Sequence, residues 1–488
     1  MSLINISNLT FGYNNSYDTI FENVSFQIDT DWKLGFTGRN GRGKTTFFNL
    51  LLGKYEYSGA ISANVDFSYF PYEVKDKTKD TIEVVDEIYS GYELWELQKE
   101  LSLLEVSYEV LYRPFETLSN GEQTKVLLAV LFLKENNFLL IDEPTNHLDY
   151  RARKIVSDYL NLKKGFILVS HDRAFLDNCI DHILSINKAN IEIQRGNFSS
   201  WQVNKELQDN YEIKENEKRK KEIDKLNDAA KRMAGWSDKL EGSKIGTGAP
   251  DRGYIGHKAA KLMKRSKAIE TRRNNSVEEK TKLLKNIETA DDLMILPLPY
   301  YKDTLLEVKV LSVKYDGKTA VSGINFKLEQ GDRLALCGKN GSGKSSILKL
   351  ILGEKLEYDG YVNIGSYLVM SYISQEASNL IGSIKDFSRN ENIDESLLMA
   401  ILRKLDFSRV QFEKDMKDYS GGQKKKVLLA ASLCHRAHLY VWDEPLNYID
   451  IISRMQIEEL ILKFQPTMIF VEHDSAFLDH IATKRVEL

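Results

Sequence analysis

Four short motifs occur twice in this chain, in the same order, about 300 residues apart. The first set is Gly38-Arg39-Asn40-Gly41-Arg42-Gly43-Lys44-Thr45, then Leu118-Ser119-Asn120-Gly121-Glu122-Gln123, then Phe138-Leu139-Leu140-Ile141-Asp142-Glu143-Pro144, then Ser170-His171-Asp172. The second is Gly338-Lys339-Asn340-Gly341-Ser342-Gly343-Lys344-Ser345, Tyr419-Ser420-Gly421-Gly422-Gln423, Leu439-Tyr440-Val441-Trp442-Asp443-Glu444-Pro445 and Glu472-His473-Asp474. The offset drifts only from 300, between Lys44 and Lys344, to 302, between His171 and His473. One duplicated domain accounts for so small a drift, and a repeat of this length constrains the architecture before any local reading does.

At 488 residues there is room for two or three domains, each able to bury its own core. The three cysteines, Cys179, Cys337 and Cys434, are isolated and lie in apolar surroundings, so they read as small core residues of a reducing compartment. Met1-Ser2-Leu3-Ile4 runs straight into a strand pattern, and we expect no secretory leader. The longest apolar run, Val126 to Leu133, has eight residues. A membrane-spanning helix needs about twenty. We therefore expect no membrane domain and a cytoplasmic location.

Residues 1–200 alternate between strand-like runs (Val65 to Phe70, Phe138 to Asp142, Gly165 to Ser170) and helix-like runs (Thr45 to Leu52, Gly121 to Lys134). Such alternation predicts an α/β layered domain with a largely parallel sheet. Residues 304–488 repeat it, leaving 201–303 as an interdomain linker.

The linker has a different composition. Ile223, Leu226, Ala230 and Met233 recur at helical steps, and Leu262 with Ile269, then Val277 with Leu284, recur at seven. Glycines at 242, 246, 248, 253 and 256, with Pro250, break the pattern at about 241–257. We read two antiparallel helices, the first from about Val203 to Leu240, joined by a tip. The whole chain carries −4, whereas residues 201–290 carry +7, and that excess sits in 244–273 with nine basic against two acidic residues. A solvated face would mix its signs. A basic, glycine-rich hairpin end on an otherwise acidic protein instead suits a phosphate backbone.

The glycine loops let backbone N–H groups converge on phosphate oxygens at a helix N-terminus. In that motif Lys44 and Lys344 neutralise the β- and γ-phosphates, and the Thr45 and Ser345 hydroxyls bind Mg²⁺, with Thr46 and Ser346 beside them. Asp142 and Asp443 would hold magnesium. Glu143 and Glu444 would orient the attacking water, with His171 and His473 at the γ-phosphate. The ATP-contacting glycines are Gly38, Gly41, Gly43, Gly338, Gly341 and Gly343, with Asn40 and Asn340 between them.

With the stretches at Ser119 and Ser420, the chain resembles the ATP-binding-cassette family. That resemblance implies two cassettes packed head to tail, with each ATP between the phosphate loop of one and the signature of the other. One site would join Lys44 to Ser420, Gly421, Gly422 and Gln423. The other would join Lys344 to Ser119, Gly121 and Glu122. Tyr13 and Tyr315 match the aromatic that stacks on adenine, and Gln375 matches the glutamine that senses magnesium and γ-phosphate. Tyr72 stands where the first copy should have that glutamine, and Asn120 replaces a signature glycine. The resemblance thus implies two hydrolytic but unequal sites.

Two cassettes joined by a charged hairpin, with Pro144-Thr145-Asn146-His147-Leu148-Asp149 and Gly196-Asn197-Phe198-Ser199, resemble the ABC-F subfamily. From Tyr72 to Ser119 is 47 residues and from Gln375 to Ser420 is 45, so no arm insertion is expected in the first cassette. The tip, with Lys244, Ile245, Thr247, Arg252, Tyr254, Ile255, His257, Lys258, Lys261, Lys264 and Arg265, is similar to that of Lsa-type antibiotic-resistance members. This implies a monomer that contacts large-subunit rRNA and exit-site tRNA of the ribosome. It would displace lincosamides, pleuromutilins and streptogramin A, with ATP hydrolysis driving release. The other roles to weigh are a housekeeping ABC-F factor for stalled or idle ribosomes and a transporter's motor subunit.

Overall fold

A computed structural model describes residues 2–13, 19–146, 148–186, 191–242, 293–315, 318–377 and 380–488, with single positions between 260 and 275; beyond Lys218 only some linker side chains are included. The chain divides into two units. One comprises Met1–Ile186, Ile191–Phe198 and Ala290–Leu488, and the other Asn187–Asn190 and Ser199–Thr289.

The first unit holds both copies of the repeat, each an α/β cassette as expected. In the first copy a six-stranded sheet runs in the order Asp66–Phe70, Asn137–Asp142, Phe166–Val169, Lys33–Thr37, His182–Ile186, Ile191–Arg195. All neighbours are parallel except the last pair. Parallel strands covered on both faces read as continuous apolar runs. Phe138 to Ile141 is such a run and is fully buried. The second copy has a five-stranded parallel sheet in the order Met370–Ile373, Leu439–Asp443, Met468–Val471, Arg333–Cys337, Lys484–Glu487. Each cassette adds a three-stranded antiparallel sheet, Thr19–Asp29, Leu3–Gly12, Ser58–Ser62 in one and Lys318–Glu329, Thr304–Tyr315, Glu357–Ile364 in the other. Aromatic packing fills the first core, where Phe36 meets Phe47 and Phe48. In the second core Trp442 and Tyr440 are completely buried, and the Trp442 indole donates to Ser432 Oγ at 3.0 Å, which satisfies its only polar atom.

Side chains at the helix starts position the motifs. Asp149, Asp172, Asp450 and Asp474 each cap a helix by accepting from a backbone N–H three residues on. Ser119 and Ser420 cap the helices Asn120–Leu133 and Gly421–Cys434, and Glu122 and Gln423 return the bond to close capping boxes. By contrast, the helices Lys44–Leu51 and Lys344–Ile351 begin after Gly43 and Gly343, which adopt φ of 97° and 91° and supply no side-chain cap. Their first N–H groups are left for another acceptor. A side chain could not replace Gly43, because its Cβ would come within 2.5 Å of Ile20 Cγ2.

In the second unit one helix spans Phe198–Gly242, 45 residues, or about 67 Å at ~1.5 Å per residue. It starts five residues before the Val203 read from the sequence. Gly196 adopts φ 132° and Phe198 is buried, and the polar residues that hid the apolar period at the start are helical too. The second linker helix, where described, is helical at Ala260, Lys261, Lys264 and Lys267. The tip residues Lys244, Ile245, Thr247, Arg252, Tyr254, Ile255, His257, Lys258 and Arg265 lie outside the described residues, while Lys261 and Lys264 are exposed.

Candidate functional site: two cavities shared between cassettes

Each phosphate loop faces the opposite signature. A cavity of about 520 Å³ is lined by Tyr13, Asn40, Gly41, Gly43, Lys44, Thr45, Thr46, Asp142, Glu143 and His171 from the first cassette. Ser420, Gly421, Gly422 and Tyr448 from the second complete it. The Asn40 side-chain amide donates to the Tyr448 carbonyl at 3.0 Å, and the signature glycine Gly422 packs so closely on that carbonyl that a Cβ would lie 2.5 Å away. The second cavity, about 980 Å³, is lined by Asn340, Gly341, Gly343, Lys344, Ser345, Ser346, Gln375, Glu444 and His473. Ser119, Gly121, Glu122 and Asp149 close it from the first cassette. Gly38 and Gly338 shape the loops at φ 150° and 147° without lining either cavity, and their carbonyls accept from Lys44 and Lys344 Nζ at 2.5 and 2.9 Å. Gln423 likewise serves its capping box rather than a cavity wall. The Tyr315 side chain lies outside the described residues, whereas Tyr13, 41% exposed, bonds Thr46 Oγ1 at 2.9 Å.

Charges are concentrated in both sites. Burial pushes the Lys44 and Lys344 ammonium groups down from their usual range, a shift an anionic ligand would reverse. Asp142 Oδ2 accepts from Thr45 Oγ1 at 3.2 Å and from Tyr69 Oη at 3.1 Å. Asp443 is 2% exposed, and its Oδ1 is buried with no hydrogen-bond partner, beside the Ser345 hydroxyl. A buried, orphaned carboxylate oxygen next to a hydroxyl fits a hard oxygen-seeking cation such as magnesium. Among the described residues no cluster of three or more His, Cys, Asp or Glu forms a metal cage, so a ligand's oxygens would have to complete the shell.

The two glutamates differ. Both sit in the left-handed region, Glu143 at φ 51° and Glu444 at φ 48°, strain of a kind that clusters at functional sites. Burial, then the Asp142 charge, pushes Glu143 up to about 8. Its Oε1 is buried without a hydrogen bond, 3.3 Å from His171 Nε2. Burial also works against Glu444, but His473, Gln375 and Asn447 together hold it down to about 2. Asn447 Nδ2 donates to its Oε2 at 2.6 Å, and His473 Nε2 is 3.5 Å from its Oε1. Burial, then the charges of Lys44 and Arg454, keeps His171 well below the usual histidine range.

Several contributors carried no motif signal. Tyr69 reaches Asp142, whereas Tyr72 lines a separate cavity with Phe70, Gln123 and Thr124. Lys425 Nζ ties the Ser374 carbonyl, next to Gln375, to the Glu444 carbonyl at 2.9 and 3.0 Å. Arg153 and Arg454 pair with Asp172 and Asp474 at 3.0 Å. Where the first copy joins Thr145 Oγ1 to Ser170 Oγ, the second has Leu446 N donating to Glu472 Oε1 at 2.8 Å, so the paired substitutions preserve the link. Only the doubled offset, read column by column, could have flagged these positions.

The fold and the paired sites define a tandem nucleotide-hydrolysing cassette protein. The ABC transporter family model matches residues 21–146 and again 321–447, more than half of the chain. The chain belongs to the ATP-binding-cassette family, within its ABC-F subfamily, and is an ATPase. It is 26% identical over 476 residues to the ribosome protection protein VmlR of Bacillus subtilis, covering 96% of this chain and 84% of that one. It is 25% identical over 517 residues to the energy-dependent translational throttle protein EttA of Haemophilus influenzae, covering 95% and 88%. The archaeal ribosome recycling factor aABCE1, in a crystal structure with the stalk protein aP1, shares the fold at a TM-score of 0.63 and 17% identity, covering 98% of this chain and 87% of that one. Among the described residues no helix is long and apolar enough to cross a membrane.

Proposed function

We propose that this ATPase acts in the cytoplasm on the ribosome, entering at the exit site, and protects it from antibiotics of the peptidyl-transferase centre. In this reading two ATP molecules hold the cassettes together and hydrolysis reopens them. The observation that carries it is the sharing of each cavity between a phosphate loop and the opposite signature, seen most directly in the Asn40–Tyr448 bond. Lys44 and Lys344 bind the β- and γ-phosphates, and the uncapped helix starts behind Gly43 and Gly343 add N–H donors. Magnesium would be held by Thr45 with Asp142 and by Ser345 with Asp443 and Gln375, where it would neutralise developing phosphate charge. Glu444, already ionised, orients a water toward the γ-phosphorus, and His473 steadies the γ-phosphate. Glu143 and His171 do the same at the first site from a less ionised start.

The protective role is supported by the likeness to a ribosome protection protein over nearly the whole chain and by the basic end of the linker, with +7 over residues 201–290. A second reading, a factor that regulates translation without drug, is favoured by a comparable likeness to a translational throttle protein. Inhibitory concentrations of a lincosamide, a pleuromutilin and streptogramin A, measured with and without this gene in a susceptible host, decide between them. Raised values support protection. Unchanged values, with the protein still sedimenting with ribosomes, support regulation.

A further inference from the structure

A second, smaller cavity adjoins the Lys344 site. It measures about 240 Å³ and lies between the helices Tyr150–Leu162 and Arg173–Cys179 of one cassette and the His473–Ser475 segment of the other. Arg153 and His473 line both this space and the large ATP cavity. His473 is 7% exposed, and its Nε2 faces Glu444 Oε1 at 3.5 Å without a well-formed hydrogen bond. Arg153 is held by the Leu148 carbonyl and by Asp172, each at 3.0 Å. Lys154 and Tyr150, also part of the lining, are both exposed. The space therefore leads from a buried histidine to solvent-facing groups.

The duplication supplies an internal control. The same offsets that relate the motifs carry Ser157 onto Glu458 and Ser475 onto Arg173. Around the first site those two positions form a buried ion pair between the cassettes, with side chains 10% and 8% exposed and His480 Nδ1 3.6 Å from Glu458 Oε2. Around the second site both are serines. Ser157 Oγ turns to the Phe175 carbonyl at 3.3 Å and accepts from Asn178 Nδ2 at 2.9 Å. Two short side chains leave open the space that a long ion pair fills on the other side.

We propose that the smaller cavity is an exit for inorganic phosphate from the second site, used while the cassettes stay closed, and that the Arg173–Glu458 pair denies such an exit to the first. The proposal rests on the reading that the Lys344–Glu444 site cleaves ATP. The ion to be carried is a phosphate dianion, and the walls offer it donors: His473 Nε2, Arg153 and Lys154. The two carboxylates of the lining are already engaged, Asp172 by Arg153 and Asp158 by Asn178 Nδ2 at 2.8 Å. The second site can then cleave its ATP and lose the phosphate without opening, its ADP staying in place until the cassettes part, while cleavage at the first leaves phosphate as well as ADP trapped until then. That ties reopening to the first site.

The test moves the ion pair. In a Glu143→Gln background only the second site cleaves ATP, and Ser157→Glu with Ser475→Arg installs the pair there. Single-turnover cleavage is read by acid quench and phosphate release by a fluorescent phosphate-binding sensor. The expected result is unchanged cleavage with release slowed about tenfold, equivalent to about 1.4 kcal/mol on the exit barrier. Release that keeps pace with cleavage overturns the proposal. If the double substitution does not bind ATP, Ser475→Trp fills the space from the other cassette and carries the same expectation. Absence of cleavage in the Glu143→Gln parent would instead overturn the hydrolytic reading of the second site, a failure distinct from normal cleavage with normal release. The mirror variant, Arg173→Ser with Glu458→Ser in a Glu444→Gln background, should speed release from the first site. Release that stays slow there overturns the blocking role of the pair.

Discussion

Asn447 Nδ2 donates a 2.6 Å hydrogen bond to Glu444 Oε2, while Glu143, the equivalent carboxylate of the first cassette, has a buried oxygen with no hydrogen bond at all. Two glutamates that match in sequence are therefore pushed in opposite directions from the usual carboxylate range. Glu143 is pushed up to about 8, chiefly by burial, and Glu444 is held at about 2 against burial by His473, Gln375 and Asn447. Only the ionised form can orient water, so activity from Glu143 should rise as pH climbs through its raised pKa. Glu444→Gln, which leaves the first site working, should show turnover that increases between about pH 6 and 9, whereas Glu143→Gln should be flat over that range. Parallel pH profiles for the two variants would remove the electrostatic basis for unequal sites.

Lys426 Nζ and Asp450 Oδ2 pair at 2.8 Å with side chains 6% and 0% exposed. Burial opposes ionisation of Asp450, but the Lys426 charge and hydrogen bond hold its carboxyl well below the usual range. A depressed carboxylate contributes stability above the unfolded pKa and loses it as pH falls through about 4 toward the folded value. Lys426→Met strands Asp450 and should cost about 3–5 kcal/mol in the second cassette. Thermal melts at neutral and acid pH check both statements. The deficit of the variant should shrink on acidification, and a constant deficit would mean that the loss is one of packing alone.

Charge in the linker should govern ribosome binding. Lys258, Lys261, Lys264, Arg265 and Lys267 belong to the segment that holds all the basic excess. Neutralising three of them should weaken binding and flatten its salt dependence, by about one unit of slope for each phosphate that the protein no longer neutralises. Sedimentation with ribosomes across a salt series measures it. Identical slopes would leave the segment as a solvated spacer.

The tip and the hydrolytic sites should be separable. Tyr254→Ala, or removal of Ile245 to Ile255, alters residues remote in sequence from every motif that lines the two ATP cavities. We expect drug protection to disappear with ribosome-free ATP turnover intact, because an aromatic among glycines can stack on a base while taking no part in phosphate chemistry. Resistance and ATPase activity measured on the same variants decide it, and full resistance after shortening would favour the regulatory reading.

The doubled motifs by themselves determined the two α/β cassettes, the glycine loops before Lys44 and Lys344, and the strands that end at Asp142 and Asp443. These depend on local spacing, which a repeat displays twice. They also located the linker and its basic stretch, since charge and helical period are written along the chain. Only the tertiary structure decided what surrounds each motif. Tyr69 reaching Asp142, Asn447 holding Glu444 and Lys425 bridging to Ser374 join residues 73, 3 and 51 positions apart, and nothing in their spacing marks them. The Arg173–Glu458 pair, 285 residues apart, and the serine-lined cavity at its counterpart arise only when the copies face each other. Protonation and access depend on burial and on neighbours brought by folding, so two motifs nearly identical in sequence became two chemically different sites.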